Sequence, residues 1–216
     1  MIKIAPSILS ADFANLGYTL KKLEKAGADL IHIDVMDGLF VPNLTFGPAF
    51  IEKIRSHTKI PFDVHLMINN PEYSLMQYIK AGADYITLHP ETTIHLDRTI
   101  NLIKDAGVKV GVALLPTTSP DILEYILDKI DLILIMTVNP GFSGQKFMPT
   151  QLSKLKKIVN IIGDKNIIIS VDGGINKETA KLCKEQGADL LVSGQYVFDG
   201  DYEENITNLK DIKSSI

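Results

Sequence analysis

Lys25-Ala26-Gly27-Ala28-Asp29-Leu30-Ile31 recurs as Lys80-Ala81-Gly82-Ala83-Asp84-Tyr85-Ile86, and Gly187-Ala188-Asp189-Leu190-Leu191 gives a third copy. Each copy is a helix stop, a tight turn and a strand start. Working outward from these marks, strands are predicted over Lys3–Ser7, Leu30–Asp34, Phe62–Leu66, Tyr85–Leu88, Val108–Leu114, Leu132–Met136, Ile167–Val171 and Leu190–Ser193. Helices are predicted between and after them, over Ala11–Ala26, Pro48–His57, Glu72–Ala81, Leu96–Ala106, Pro120–Leu127, Gln151–Ile162, Lys177–Gln186 and Tyr202–Lys213. Several strands are apolar throughout, as parallel strands covered on both faces should be. Eight strand–helix alternations of this size predict a (β/α)8 TIM barrel, with residues 1–216 as a single domain. A doubly wound open sheet is the structural alternative. It needs a Gly-rich loop after the first strand, and Pro6-Ser7-Ile8-Leu9-Ser10 has no glycine.

Composition narrows the class of protein. The formal net charge is -4 and no basic stripe is present, so nucleic acid is not an expected partner. An anionic small molecule remains compatible with a locally positive site. The one cysteine, Cys183, rules out an intrachain disulfide and fits a reducing compartment. Met1-Ile2-Lys3-Ile4-Ala5-Pro6 reads as a first strand rather than a secretory signal, and no uncharged run approaches a membrane span. The expectation is a cytoplasmic protein with no membrane partner.

The chemistry is expected at the C-terminal ends of the strands, where barrels of this kind place their sites. The second strand carries His32, Asp34 and Met36 at every second position, so the three share one face. An imidazole and a carboxylate at the end of a buried strand are costly unless paired, and a metal ion is the usual partner. His65 closes the third strand and Asp172 the seventh. His32, Asp34, His65 and Asp172 together suit Zn²⁺, Fe²⁺, Mn²⁺ or Co²⁺ better than Ca²⁺ or Mg²⁺. Singly, each has a bland reading as a core histidine or a turn aspartate; jointly they occupy one end of the barrel. Asp63, on the face of His65, is read as an orienting partner, and His89 and Glu91 as outer residues. Met36, Met67 and Met136 stand at the same level, and are read as an apolar cap that keeps water off a reactive intermediate rather than as core filler. Asp172-Gly173-Gly174 runs into a helix, and Ser193-Gly194 follows the eighth strand; both offer backbone donors for a phosphate. Gly141-Phe142-Ser143-Gly144 reads as a loop with two hinge glycines.

Several of these segments resemble the ribulose-phosphate 3-epimerase family. They are Ala5-Pro6-Ser7-Ile8-Leu9-Ser10-Ala11-Asp12-Phe13, His32-Ile33-Asp34-Val35-Met36-Asp37-Gly38, Val41-Pro42-Asn43, Asp63-Val64-His65-Leu66-Met67, Asn139-Pro140-Gly141-Phe142 and Val171-Asp172-Gly173-Gly174. The resemblance implies interconversion of D-ribulose 5-phosphate and D-xylulose 5-phosphate in the pentose phosphate pathway. It also implies one divalent metal held by His32, Asp34, His65 and Asp172, no organic cofactor, and Asp34 and Asp172 as the acid/base pair. Ser7, His65, Gly141, Phe142, Ser143, Gly144, Asp172, Gly173, Gly174, Gly194 and Gln195 would contact a sugar phosphate. Ser143 stands where the family often has Gly, and Gln195 where it often has Ser; backbone contacts to a phosphate survive both. Barrels of this size often assemble through their helices, and a homo-oligomer is expected.

Epimerising C3 of a 2-keto sugar requires proton removal beside a carbonyl and proton return on the opposite face. Two carboxyl groups flanking a planar cis-enediolate can do this, and a metal would stabilise that intermediate as a Lewis acid. The expectation is that Asp34 is the base toward ribulose 5-phosphate and Asp172 the acid. Three rivals stand beside this reading. A 3-epimerase of a six-carbon ketose phosphate such as allulose 6-phosphate would share the machinery. A barrel decarboxylase would need Asp-x-Lys-x-x-Asp on the third strand, where this chain has Asp63-Val64-His65-Leu66-Met67-Ile68. A non-catalytic sugar-phosphate-binding barrel would have no need of both acids.

Overall fold

The computed structural model describes residues 2–212. Its eight strands are β1 (Lys3–Pro6), β2 (Ile31–Met36), β3 (Phe62–Met67), β4 (Tyr85–Leu88), β5 (Lys109–Leu114), β6 (Leu132–Met136), β7 (Ile168–Asp172) and β8 (Leu190–Ser193). They pair in parallel in the order β1-β8-β7-β6-β5-β4-β3-β2, and a parallel bridge from Ser7 to His32 joins the two ends. Around them lie α1 (Leu16–Lys25), α2 (Pro48–Arg55), α3 (Leu75–Lys80), α4 (Leu96–Asp105), α5 (Gln151–Ile162), α6 (Lys177–Glu185), α7 (Gln195–Phe198) and α8 (Tyr202–Lys210). The fold is a (β/α)8 TIM barrel, as the repeated turns predict.

Those turns have a physical job. Gly27, Gly82 and Gly187 have φ of +82°, +101° and +100°, a left-handed conformation in which the next amide reverses onto the finished helix. The N–H of Ala28, Ala83 and Ala188 donates to the carbonyl of Leu23, Tyr78 and Cys183 respectively. The aspartate that follows then ties two strands together. Asp29 accepts the N–H of Ile4 at 2.8 Å, Asp84 that of Phe62 at 2.8 Å and Asp189 that of Ile169 at 2.9 Å. Each is the start of an even-numbered strand reaching back to the strand before it. Asp131 does the same for Val110 at 2.9 Å, completing the set of four from a segment with no recognisable copy of the repeat.

Alternation sorts the strand residues into two environments. Ile31, Ile33, Val35, Phe62, Val64, Leu66, Ile86, Leu88, Ile133 and Ile135 point outward into the layer between sheet and helices. The inward residues of β5–β8 and β1 are mostly apolar, with Ala5, Ala113, Leu132, Leu134, Leu190 and Val192 in one inner cluster. Those of β2, β3 and the end of β4 are polar and buried: His32, Asp34, Asp63, His65, Thr87 and His89. The barrel interior is thus polar mainly on the β2–β4 side, with Ser170 and Asp172 of β7 the inward polar residues across from it, and buried polar groups must be satisfied internally.

Three predicted helices differ in detail. The first is α-helical only from Leu16; Asp12 caps a 3-10 turn at Phe13–Asn15 by accepting the N–H of Ala14. The third is split into a 3-10 turn at Pro71–Tyr73 and α3, joined at Ser74. Pro120–Leu127 is not an α-helix: it opens as a 3-10 turn at Pro120–Leu123, and a second lies at Leu127–Lys129. The buried residues there are Pro120, Leu123 and Ile126, and a spacing of three suits the tighter helix. The four-residue α7 has no counterpart among the predicted helices. The last helix ends at Lys210, and Lys213 lies outside the described residues.

Candidate active site

His32 and Asp34 on β2, His65 on β3 and Asp172 on β7 converge at the C-terminal mouth of the barrel. One potential ligand atom from each lies within 4.8 Å of the other three. His32 Nε2 is 3.3 Å from Asp34 Oδ1 and 3.3 Å from His65 Nδ1, and His65 Nδ1 is 3.3 Å from the same Asp34 oxygen. A tetrahedral ion with bonds of roughly 2.0–2.1 Å separates its ligand atoms by about 3.3–3.4 Å, so these three atoms stand at the spacing of a coordination shell. The four residues can hold a metal ion, and the donor set of two imidazoles and two carboxylates fits a borderline divalent cation. The far nitrogens are occupied. His32 Nδ1 is 2.8 Å from Asp63 Oδ2, and His65 Nε2 is 2.9 Å from His89 Nε2.

Electrostatics drive the two carboxyl groups apart. Burial pushes Asp34 up, but the imidazoles of His32 and His65 outweigh it and hold the carboxyl below its ordinary range. Ser7 Oγ also donates to Asp34 Oδ2 at 2.5 Å. Asp172 has weaker support: burial and the charge of Asp34 outweigh the His32 imidazole and raise it to about 7. For His32, burial lowers the pKa, yet Asp34 and Asp63 together leave it well above the usual imidazole value. Burial lowers His65 and, more strongly, His89.

Above this cluster opens a cavity of about 520 Å³. Ser7, Asp34 and Asp172 reach its floor, and Met36, Met67 and Met136 line it together. All three methionines are buried. Gly141, Phe142, Ser143, Gly144, Gly173, Gly174, Gly194 and Gln195 complete the wall; Phe142 is 54% exposed and overhangs it. Every residue expected at the site from sequence therefore borders this cavity or, for His32 and His65, lies beneath its floor.

The ribulose-phosphate 3 epimerase family model matches residues 3–198. The chain belongs to this family. It is accordingly an epimerase, an enzyme of the isomerase class. A ribulose-phosphate 3-epimerase of Bacillus subtilis is 52% identical over 99% of this chain and 100% of its own length. The chloroplastic ribulose-5-phosphate-3-epimerase of Arabidopsis thaliana is 49% identical over 97% of this chain and 76% of its own. Among solved structures, KGPDC from Streptococcus mutans superposes with a TM-score of 0.74 at 16% identity, covering 98% of this chain and 96% of that one. That likeness is one of fold.

Within this epimerase fold, the stretch Phe40–Asn43 acquires a structural account. Asn43 Nδ2 donates to the Gly141 carbonyl at 2.7 Å, and the side chain of Val41 lies at van der Waals distance, 3.4 Å, from where a Cβ on Gly141 would sit. Val41 also joins Met36 and Met67 in a small buried cluster, and Phe40 lies 5.0 Å from the His89 ring. The loop after β2 thus braces the loop after β6. Sequence reasoning missed two more groups. Thr45 Oγ1 donates to the Asp34 carbonyl at 2.5 Å and accepts the Met36 N–H at 3.0 Å. Thr87 Oγ1 donates to Asp63 Oδ1 at 2.7 Å. The one trace of Thr87 in the sequence is a polar residue breaking an apolar strand two positions before His89.

Proposed function

We propose that the chain interconverts D-ribulose 5-phosphate and D-xylulose 5-phosphate, with Asp34 and Asp172 moving the proton at C3. The observation that carries this is the meeting of two carboxyl groups from separate strands, Asp34 and Asp172, at one cavity floor. Their surroundings push them apart, Asp34 below its ordinary range and Asp172 up to about 7, which is the direction a division of labour between base and acid needs. They stand on strands separated by β1 and β8 in the closed sheet, so they approach a bound sugar from different directions. Toward ribulose 5-phosphate, Asp34 takes the C3 proton and Asp172 delivers one to the other face. The roles reverse for xylulose 5-phosphate. Ser7, donating to Asp34, keeps that carboxylate oriented.

His32, Asp34, His65 and Asp172 would hold one divalent ion, Zn²⁺, Fe²⁺, Mn²⁺ or Co²⁺. Such an ion supplies Lewis-acid charge beside the oxygens that become negative as the proton leaves. Met36, Met67 and Met136 exclude water from the planar intermediate. The phosphate is read onto the opposite wall, where Gly141–Gly144, Gly173–Gly174 and Gly194–Gln195 present backbone to the cavity. Gln195 is exposed beside Gly144, so its amide is free to add a side-chain contact where the family more often has a hydroxyl. The same reading takes residues 1–216 as one domain, working in the cytoplasm as a homo-oligomer. No described helix is long and apolar enough to cross a membrane.

The test is turnover of ribulose 5-phosphate in D2O. One deuterium should enter at C3 of the product, and Asp34→Asn and Asp172→Asn should each slow its formation by about 10²–10⁴-fold. Normal turnover by Asp172→Asn would rule out the two-carboxylate scheme, and faster turnover of allulose 6-phosphate would move the substrate to the hexulose class.

A further inference from the structure

Strand β4 and the residue after it supply no candidate ligand, yet they reach both candidate metal histidines from behind, His65 directly and His32 through Asp63. Its inward residues are Tyr85, Thr87 and, one step past its end, His89, spaced by two so that they share a face. Thr87 lies opposite His65 in the β3–β4 register, and Asp63 opposite Tyr85. Thr87 Oγ1 therefore reaches Asp63 Oδ1 at 2.7 Å, while Asp63 Oδ2 faces His32 Nδ1 at 2.8 Å. His89 Nε2 meets His65 Nε2 at 2.9 Å. Asp63, Thr87, His65, His89 and His32 are all fully buried, so water cannot replace any of these partners.

An imidazole that binds a metal through one nitrogen keeps its proton on the other, and the partner of that second nitrogen decides which way round the ring sits. Asp63, as a carboxylate, can only accept. It fixes the His32 proton on Nδ1 and leaves the Nε2 lone pair toward Asp34 and His65. At His65 the geometry is inverted: Nδ1 faces the cluster, so Nε2 must donate, and His89 Nε2 must accept. His89 then carries its own proton on Nδ1, a buried nitrogen without a hydrogen-bond partner among the described residues, with Glu91 Oε2 3.8 Å away. A neighbour on β5 protects the first arm. Gly111 pairs with Thr87, and a Cβ built at Gly111 would lie 2.2 Å from Thr87 Oγ1. The glycine leaves the room in which the hydroxyl sits.

Resting on the metal reading above, we propose that Thr87 and His89 are the positioning residues of the metal centre: Thr87 acts on His32 through Asp63, and His89 acts on His65 directly. Together they dictate that the ion is bound by Nε2 of one histidine and Nδ1 of the other. Neither residue contacts the sugar.

The experiment uses the full-length chain, stripped of metal and reloaded. In the Zn²⁺-loaded wild type, ¹⁵N–¹H correlation spectra of the imidazoles should show His32 protonated at Nδ1 and His65 at Nε2; either ring found the other way round overturns the proposal. Zn²⁺ affinity is then measured by competition with a chromophoric chelator. Thr87→Val and His89→Leu should each weaken binding by about 10–100-fold. Thr87→Ser and His89→Gln, which restore a hydroxyl and an acceptor, should recover most of it. Co²⁺ spectra should shift in the first pair and return in the second. Thr87→Val and His89→Leu binding Zn²⁺ as tightly as wild type, whatever their melting temperatures, would overturn the role of β4 while leaving the metal centre standing. A wild type that binds no divalent ion would overturn both.

Discussion

Asp172→Asn separates the demands of catalysis from those of folding. In the metal-free protein Asp172 is raised from 3.8 to about 7, by burial and then by the charge of Asp34. A folded-state pKa above the unfolded value means that the contribution to stability is complete below the unfolded pKa and is lost as pH climbs through the folded one. The window is therefore about pH 4 to pH 7. At 1.36 kcal/mol per unit, a shift of this size corresponds to on the order of 4 kcal/mol of destabilisation at about pH 8. Asp172 lines the cavity and is only partly buried, so roughly half of that, about 2 kcal/mol, is expected in practice. Asparagine does not titrate. Metal-free Asp172→Asn should then melt roughly 4–8 °C above metal-free wild type at about pH 8, for a chain of this length. The difference should vanish near pH 4. His32 titrates with the same sign but is present in both proteins, so it cancels in the comparison. The assay is thermal unfolding of chelator-treated protein across this pH range, with turnover measured on reloaded samples. Turnover should fall about 10²–10⁴-fold, and saturating Zn²⁺ should reverse the order of stability because wild type has one more ligand. Parallel melting curves for the two metal-free proteins from pH 4 to pH 8 would refute the reasoning.

Three further outcomes are expected. Chelation should lower the melting temperature of wild type, since an ion present at 100 times its Kd stabilises by about 2.7 kcal/mol; calorimetry with and without Zn²⁺ checks this. Zn²⁺ affinity should rise with pH, because the neighbouring Asp34 and Asp63 hold a proton on His32 that the ion must displace; titration at two pH values, with proton release measured in two buffers, decides it. Asn43→Ala should raise KM for ribulose 5-phosphate about fivefold with little change in melting temperature, as the loss of one hydrogen bond worth about 1 kcal/mol loosens the loop after β6; an unchanged KM would show that the brace does not matter to binding.

The sequence alone determined the barrel, because the signals for it are local. A left-handed glycine must follow each helix of the repeat, and an aspartate must start the next strand, so Gly27-Ala28-Asp29, Gly82-Ala83-Asp84 and Gly187-Ala188-Asp189 announce the unit directly. Parity on β2 likewise puts His32, Asp34 and Met36 on one face from their spacing alone. Asp131 carries no such signal, since it does the same work without the glycine before it. The 3-10 turns at Pro120–Leu123 and Leu127–Lys129 are illegible because short apolar spacings of three and four are hard to tell apart. What only the tertiary structure decided is everything that crosses between strands. Register alone brings Thr87 to Asp63 and His89 to His65, and closure of the sheet alone brings Asp172 to Asp34. The opposed pKa values of those two carboxyl groups follow from that approach, since neither burial nor a neighbour's charge is a property of the residue itself. The tail Phe40–Asn43 is the same case: its meaning lies in Gly141, almost a hundred residues away in the chain and 2.7 Å away in the fold.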